Sequence, residues 1–287
     1  MPPRLSPSVR QQRLGSELRR LREHACMTPK AMAAALGTDV PKISQMENGK
    51  SGISADRLRS WAAACRCANL PLIEALTLMT QDRGRHWWHH FRGRVPAGML
   101  DIAELEHHAE SLLVLNTTSI PGLLQTSRYA AAMFARLRPP LPRHDADVRT
   151  AFRTERQQVL SAGRPFTAFI HEAALRMQFG GPAVLREQLA SLLDDAERPG
   201  VTLRAIPFSV DTYPGSGEDL FLAHGPVPEL DTVQIDLTQG PQFIDSEADL
   251  ASYRTIVGES DSLALGPEES HDFIRQIMTD LEGRQSR

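Results

Sequence analysis

The sequence predicts a multidomain chain, an all-α five-helix domain followed by an α+β domain in which helices accompany a mixed sheet. Two observations carry this. Up to about residue 80 the apolar residues recur at helical spacing in short stretches closed by Gly and opened by Ser, Thr or Asp. Beyond Ala97, runs rich in β-branched and aromatic residues alternate with longer helical stretches. The formal charge divides at nearly the same place. Of the 287 residues, those through Arg94 carry 16 Lys and Arg against 7 Asp and Glu, and the rest carry 16 against 28. A net of −3 therefore conceals a basic amino-terminal part and an acidic remainder. The expected division is residues 1–80, a basic and aromatic junction over 81–98, and 99–287.

Residues 1–9 hold three prolines and are expected to be irregular. Arg10 to Ala25 places Leu14, Leu18, Leu21 and Ala25 on one helical stripe, with Arg13, Arg19 and Arg20 outside it. Thr28 then reads as an N-cap and Pro29 as the first helical residue, where a missing N–H costs nothing. Ala31, Met32, Ala35 and Leu36 are expected on the inner face. Gly37 supplies a left-handed turn. Asp39 caps a second short helix in which Ile43 and Met46 point inward and Val40, Pro41, Lys42, Ser44 and Gln45 are left outside. Two helices joined by a tight glycine turn, the second presenting polar side chains, form a helix-turn-helix, whose second helix enters the DNA major groove. Ser54 caps a fourth helix with Leu58, Trp61, Ala62 and Cys65 inward, and a fifth is expected from Pro71 to Met79.

The junction QDRGRHWWHHFRGRVPAG sets Trp87, Trp88 and Phe91 among four arginines. Base stacking and domain packing both suit such a segment, and packing is favoured because no single-strand-binding pattern surrounds it. Further on, strands are expected at Leu112–Thr117, Thr167–His171, Val201–Ile206, Leu220–His224 and Thr232–Leu237. Helices are expected at Gln125–Leu137, Asp145–Leu160, Pro182–Glu197, Ser246–Val257 and Pro267–Leu281. The last two helices follow the strands without alternation, which favours α+β over a doubly wound sheet.

The chain shows none of the common catalytic or phosphate-binding motifs. Gly215-Ser216-Gly217 reads as a surface loop. Cys65, Cys67, His86, His89 and His90 offer the residue types of a zinc site, but two cysteines two apart on a predicted helix point to different sides, so no metal and no cofactor are expected. Three cysteines in one domain argue against a disulfide framework. No apolar run approaches a membrane span and no apolar signal core opens the chain, so a cytoplasmic, nucleoid-associated protein is expected. Pro121-Gly122 reads as a strand end, with Gln125, Thr126 and Tyr129 converging at the following helix start as a possible ligand or partner surface, or as ordinary caps. Arg153 and Arg156 share a helix face and read as solvated charge.

Leu14-Gly15, Leu18-Arg19, Leu21-Arg22, Thr28, Ala33, Leu36-Gly37, Ile43-Ser44 and Met46-Glu47-Asn48-Gly49-Lys50 together resemble the phage-repressor or xenobiotic-response-element type of helix-turn-helix. That resemblance implies an ion pair between Arg22 and Glu47 and a loop after Lys50 lying against the DNA backbone. It implies double-stranded DNA as partner, met by Thr28, Pro29, Lys30, Val40, Pro41, Lys42, Ser44, Gln45, Asn48 and Lys50. Pro29, Val40 and Pro41 stand where relatives often carry Gln, so base reading is expected to fall on Gln45, with Lys42 second.

Trp87-Trp88, Leu105-Glu106, Pro121-Gly122-Leu123-Leu124-Gln125-Thr126, Tyr129-Ala130, Arg153, Arg156-Gln157, Glu172-Ala173-Ala174-Leu175, Gly180-Gly181, Gln188-Leu189, Pro207-Phe208 and Pro267-Glu268-Glu269-Ser270 resemble an actinobacterial family of antitoxin-like transcriptional regulators. His171 departs from it by replacing an acidic residue. The resemblance implies a carboxy-terminal domain of unknown biochemical activity and a small partner protein encoded nearby. A homodimer is expected, since a single helix-turn-helix buries too little DNA surface for tight binding. Gln125, Thr126, Tyr129, Arg156 and Glu172 are the candidate ligand or partner residues. The alternative is a nucleotide-directed enzyme with an autoregulatory helix-turn-helix, which would need Glu172, Arg156 or Tyr129 to be catalytic.

Overall fold

A computed structural model describes residues 6–82, 86–215, 217–237 and 239–285. The expectations for Met1 to Leu5, for Arg83 and Arg85 of the junction, and for Ser216 of the glycine loop lie outside the described residues. The chain divides into two compact units, Met1–Trp87 and Trp88–Arg287.

Among the described residues the first unit contains five α-helices: α1 (Val9–His24), α2 (Pro29–Ala35), α3 (Val40–Glu47), α4 (Ala55–Ala64) and α5 (Leu70–Gln81). Their starts follow the capping residues. Thr28 Oγ1 accepts from Ala31 N at 3.1 Å, Asp39 Oδ1 from Lys42 N at 2.8 Å and Ser54 Oγ from Arg57 N at 3.3 Å. Regular structure begins earlier than the prolines suggest, because Ser8 and Gln11 form a reciprocal capping box that starts α1 at Val9. The core is Leu18, Met32, Ile43, Met46, Leu58, Trp61 and Leu76. Trp61 also donates its indole N–H to Leu18 O at 3.1 Å.

Three details differ from the sequence reading. Ala31 and Ala35 are exposed and the buried pair on α2 is Met32 and Ala33, because the short helix ends before Leu36 and turns its inner face by one position. Arg13 is buried and not outside the stripe, its Nε 2.9 Å from Glu17 Oε1. Cys67 is not on a helix: α4 ends at Ala64, Cys65 caps it, and Arg66 takes a left-handed φ of 51°.

The second unit is built on a six-stranded mixed sheet of order β3-β2-β1-β4-β5-β6. Its strands are β1 (Ser111–Asn116), β2 (Phe166–His171), β3 (Val201–Ile206), β4 (Leu220–His224), β5 (Thr232–Leu237) and β6 (Gly240–Ile244). β1, β2 and β3 run parallel, and β1–β4, β4–β5 and β5–β6 pair antiparallel. Among the described residues seven α-helices accompany them: α6 (Ala97–His108), α7 (Ser127–Phe134), α8 (Arg143–Arg156), α9 (Glu172–Arg176), α10 (Pro182–Ala196), α11 (Glu247–Leu263) and α12 (Pro267–Gln285). Strand β6 and helices α6 and α9 are additions to the sequence expectation. Pro121-Gly122 does not end a strand: β1 stops at Asn116, and Gly122–Leu124 form a 3-10 turn ahead of α7.

Alternation along the strands sends Leu112, Val114, Phe166, Ala168, Ile170 and Leu203 to one face, against Tyr129 of α7, Leu185 and Leu189 of α10, and Ile274 and Ile277 of α12. The other face, with Leu115, Phe169, Ile206, Leu222 and Val233, packs on Leu250 and neighbouring residues of α11. One outer edge is closed locally, since Ala205 N donates to Ser270 Oγ and Ala205 O accepts from Leu265 N, both at 2.9 Å. Trp88 and Phe91 are buried in this unit, Phe91 lying edge-on to Phe152 at 5.1 Å between ring centres.

Candidate nucleic-acid interface

Helix α3 is fixed by its inner residues and offers the outer ones. Ile43, Met46 and Glu47 are buried, while Val40, Pro41, Lys42, Ser44, Gln45 and Asn48 are exposed. Lys30 and Lys50, with Lys42 the only lysines of the chain, are exposed as well. Three exposed lysines and an exposed amide in and beside the helix pair, on a unit of positive net charge, are residue types suited to phosphate contact and base-edge readout.

The position of α3 is set by α1. A Cβ on Gly15 would stand 2.6 Å from Glu47 O, and one on Gly49, whose φ is 67°, 2.6 Å from Gln11 O. Only glycine allows the two backbones to come so close. The implied ion pair is present: Arg22 Nε lies 2.5 Å from Glu47 Oε1 and its Nη2 3.0 Å from Oε2, with both residues buried. Arg22 Nη1 also donates to Met27 O at 2.9 Å, in the chain leading to α2. Hydrogen bonding to Glu47 raises the Arg22 pKa against the opposing effect of burial. Arg19 adds a link that sequence reasoning missed, from its Nε to Glu47 Oε2 at 3.4 Å and from its Nη2 to Asn48 Oδ1 at 3.2 Å. Asn48 in turn donates to Ser44 O at 2.7 Å. Thr28 holds the start of α2 through its hydroxyl, and Pro29 is the first residue of that helix.

The carboxy-terminal candidates divide into two places. Gln125 is buried, donating to Ile120 O at 2.7 Å and accepting from Arg153 Nη1 at 3.0 Å. Thr126 caps α7, and its N–H donates to Gln188 Oε1 at 2.7 Å. Tyr129 is fully buried, its hydroxyl accepting from Ile120 N at 3.3 Å and its pKa pushed up to about 12 by burial. Arg156 is not solvated charge: it is buried, with Nε 2.9 Å from Glu106 Oε2. Arg153 is half-buried with its Nε enclosed, and its guanidinium lies over the Phe134 ring. Glu172 stands apart, accepting from Arg176 Nε at 2.6 Å and from Phe208 N at 2.8 Å. His171 takes the place of the missing acid as N-cap of α9, its Nδ1 accepting from Ala173 N at 3.3 Å.

Glu106 is the titratable group of this unit with the largest consequence. It is 1% exposed and faces Arg156 and Arg153 of α8 and Arg164 of the loop before β2. Burial nevertheless pushes its pKa up to about 7, outweighing the three arginines. A carboxyl whose folded pKa exceeds its unfolded value binds more protons when folded, so stability is highest below the unfolded value near 4.5 and declines as pH rises to about 7. Denaturant unfolding at pH 5 and pH 8 should show wild type losing about 2 to 3 kcal/mol more than Glu106→Gln over that interval. Equal losses in the two proteins would contradict this.

Two family models match parts of the chain. Residues 13–76 match a helix-turn-helix domain, and residues 99–276 match a domain described as a domain of unknown function, DUF5753. Neither the curated proteins nor the solved structures give a match. Among the described residues no helix is long and apolar enough to cross a membrane. Since the second match covers more than half of the sequence, the chain belongs to the DUF5753 family, with a helix-turn-helix domain at its amino-terminal end.

Proposed function

We propose that this protein is a sequence-specific transcriptional regulator of the xenobiotic-response-element type, which inserts α3 into the major groove of double-stranded DNA. The observation that carries the reading is the exposed Lys42, Ser44 and Gln45 face of a helix locked to α1 by Arg22 and Glu47. The acidic second unit provides dimerisation and receives a ligand or a small partner protein encoded nearby, the antitoxin-like arrangement that the family resemblance implies. The enzyme alternative is weaker because Tyr129 is fully buried and both Glu172 oxygens are engaged within the fold.

A direct check is the affinity of the full chain for duplex DNA as a function of salt. Affinity should fall at least ~10-fold between 50 and 200 mM salt, and Lys42→Ala and Lys50→Ala should weaken binding to all sequences alike and reduce the slope. An affinity independent of salt would contradict groove and phosphate contact. The same preparation should sediment as a dimer at micromolar concentration. A monomer both with and without DNA would remove the dimeric part of the proposal.

A further inference from the structure

We infer that Arg153 and Arg156, converging beneath Gly122 beside the buried Glu106, form a binding site for the phosphate or carboxylate group of a small anionic ligand. A Cβ on Gly122 would stand 2.7 Å from Arg153 Nη1 and 3.0 Å from Arg156 Nη2. Both guanidiniums therefore reach the same point, and glycine there is what leaves them room. Two like charges drawn together out of water repel strongly, and a folded protein does not gather them without a counter-charge.

Glu106 supplies only part of that counter-charge. Its carbonyl oxygen accepts from a third arginine, Arg164. Its carboxylate comes within 2.9 Å of Arg156 Nε without the alignment of a hydrogen bond, so Arg156 Nε, Arg153 Nε and both Glu106 oxygens are enclosed with no hydrogen-bond partner among the described residues. Buried polar atoms are normally satisfied, and the two enclosed Nε–H donors of Arg153 and Arg156 are ones that an added acceptor would satisfy. Burial, then the Arg156 charge, lowers the Arg153 pKa to about 10 against the opposing charges of Asp236 and Glu106. A planar or tetrahedral oxyanion supplies such an acceptor, and the two guanidiniums offer it N–H donors, Arg153 while its Nη1 also donates to Gln125 Oε1. The approach lies past Gly122 and Arg153, which are half-exposed while Arg156 and Glu106 are buried.

This gives the ligand of the proposed regulator a chemical class, and it rests on that reading only for its consequence at the DNA. The test uses no DNA. The thermal midpoint of the full chain is followed while inorganic phosphate, pyrophosphate, acetate or citrate replaces chloride at constant ionic strength. At least one of these should raise the midpoint saturably, as a ligand binding only the folded state must. Phosphate-type probes acting alone would identify a phosphoryl ligand, and acetate or citrate acting alone a carboxylate. Arg153→Gln should raise the half-saturating concentration at least ~10-fold, the loss of a charge-assisted bond. Arg153→Lys, which keeps the charge and removes the fork, should weaken binding without unfolding the domain, and Lys42→Ala should bind as wild type does. No saturable rise with any probe would overturn the site. So would a rise that both Arg153 variants retain unchanged, or one that disappears in Lys42→Ala, which would place the anion on the DNA-binding unit.

Discussion

Arg22→Ala should destabilise the amino-terminal unit by about 3 to 5 kcal/mol, the cost of leaving a buried carboxylate without its partner. Glu47 is 6% exposed, and with Arg22 gone its nearest cation is Arg19, at 3.4 Å and on a half-exposed side chain. The Met27 carbonyl also loses its donor. The defect falls where α3 meets α1, so DNA affinity should drop with stability. Replacing both charges, as Arg22→Met with Glu47→Leu, should recover most of the stability because no uncompensated charge remains. Denaturant unfolding of the single and double variants measures both numbers. A loss below about 1 kcal/mol for Arg22→Ala would show that the pair behaves as a solvated surface bridge.

Gln188→Leu should cost the second unit about 2 to 6 kcal/mol. Gln188 is fully buried on α10, and its amide substitutes for backbone in two directions, accepting from Thr126 N and donating to Leu124 O, each at 2.7 Å. Leucine fills similar space but strands a buried N–H and a buried carbonyl, at about 1 to 3 kcal/mol each. Gln188→Glu keeps the acceptor but has a donor for Leu124 O only as the protonated acid, so it should lie close to wild type at a pH where the new carboxyl is protonated and lose stability as the pH rises and the carboxyl ionises. The salt-dependent DNA affinity of the amino-terminal unit should be untouched by either change. If Gln188→Leu were as stable as wild type, the 122–126 segment would not depend on α10 for its shape.

The parts of the fold that were readable from sequence are those governed by local chemistry. Thr28, Asp39 and Ser54 announce helix starts through side chains that reach only three residues ahead, and all three do so here. Strands β1 to β5 lie within one residue of expectation because their β-branched and aromatic runs are distinctive. β6 escaped because Gly240-Pro241 opens it with the two residues least typical of a strand, a composition suited to an unpaired sheet edge. α6 was hidden by the aromatic junction before it. The carboxy-terminal polar residues were the hardest to read, since spacing places Arg153 and Arg156 on one helix face without saying what covers it. What covers it is Glu106 from α6 and the 3-10 turn at Gly122, contacts from 31 to 50 residues away in sequence that no local pattern records. In α1, by contrast, the partner of buried Arg13 is local, Glu17 four residues on.

The central claim, that α3 reads DNA through Gln45, is tested most directly by selection from randomised duplex DNA with the full chain and with Gln45→Ala. Val40 and Pro41 have no side-chain hydrogen-bonding group, and Val40 can touch only a thymine methyl, so the proposed direct readout falls mainly on Gln45. Wild type should return paired half-sites about one helical turn apart, and Gln45→Ala should lose the base preference at one position of each half-site, worth about 1 to 3 kcal/mol, with non-specific affinity nearly unchanged. The same motif from both proteins would contradict the assignment of Gln45, and no enriched motif from the wild type would contradict sequence-specific binding altogether.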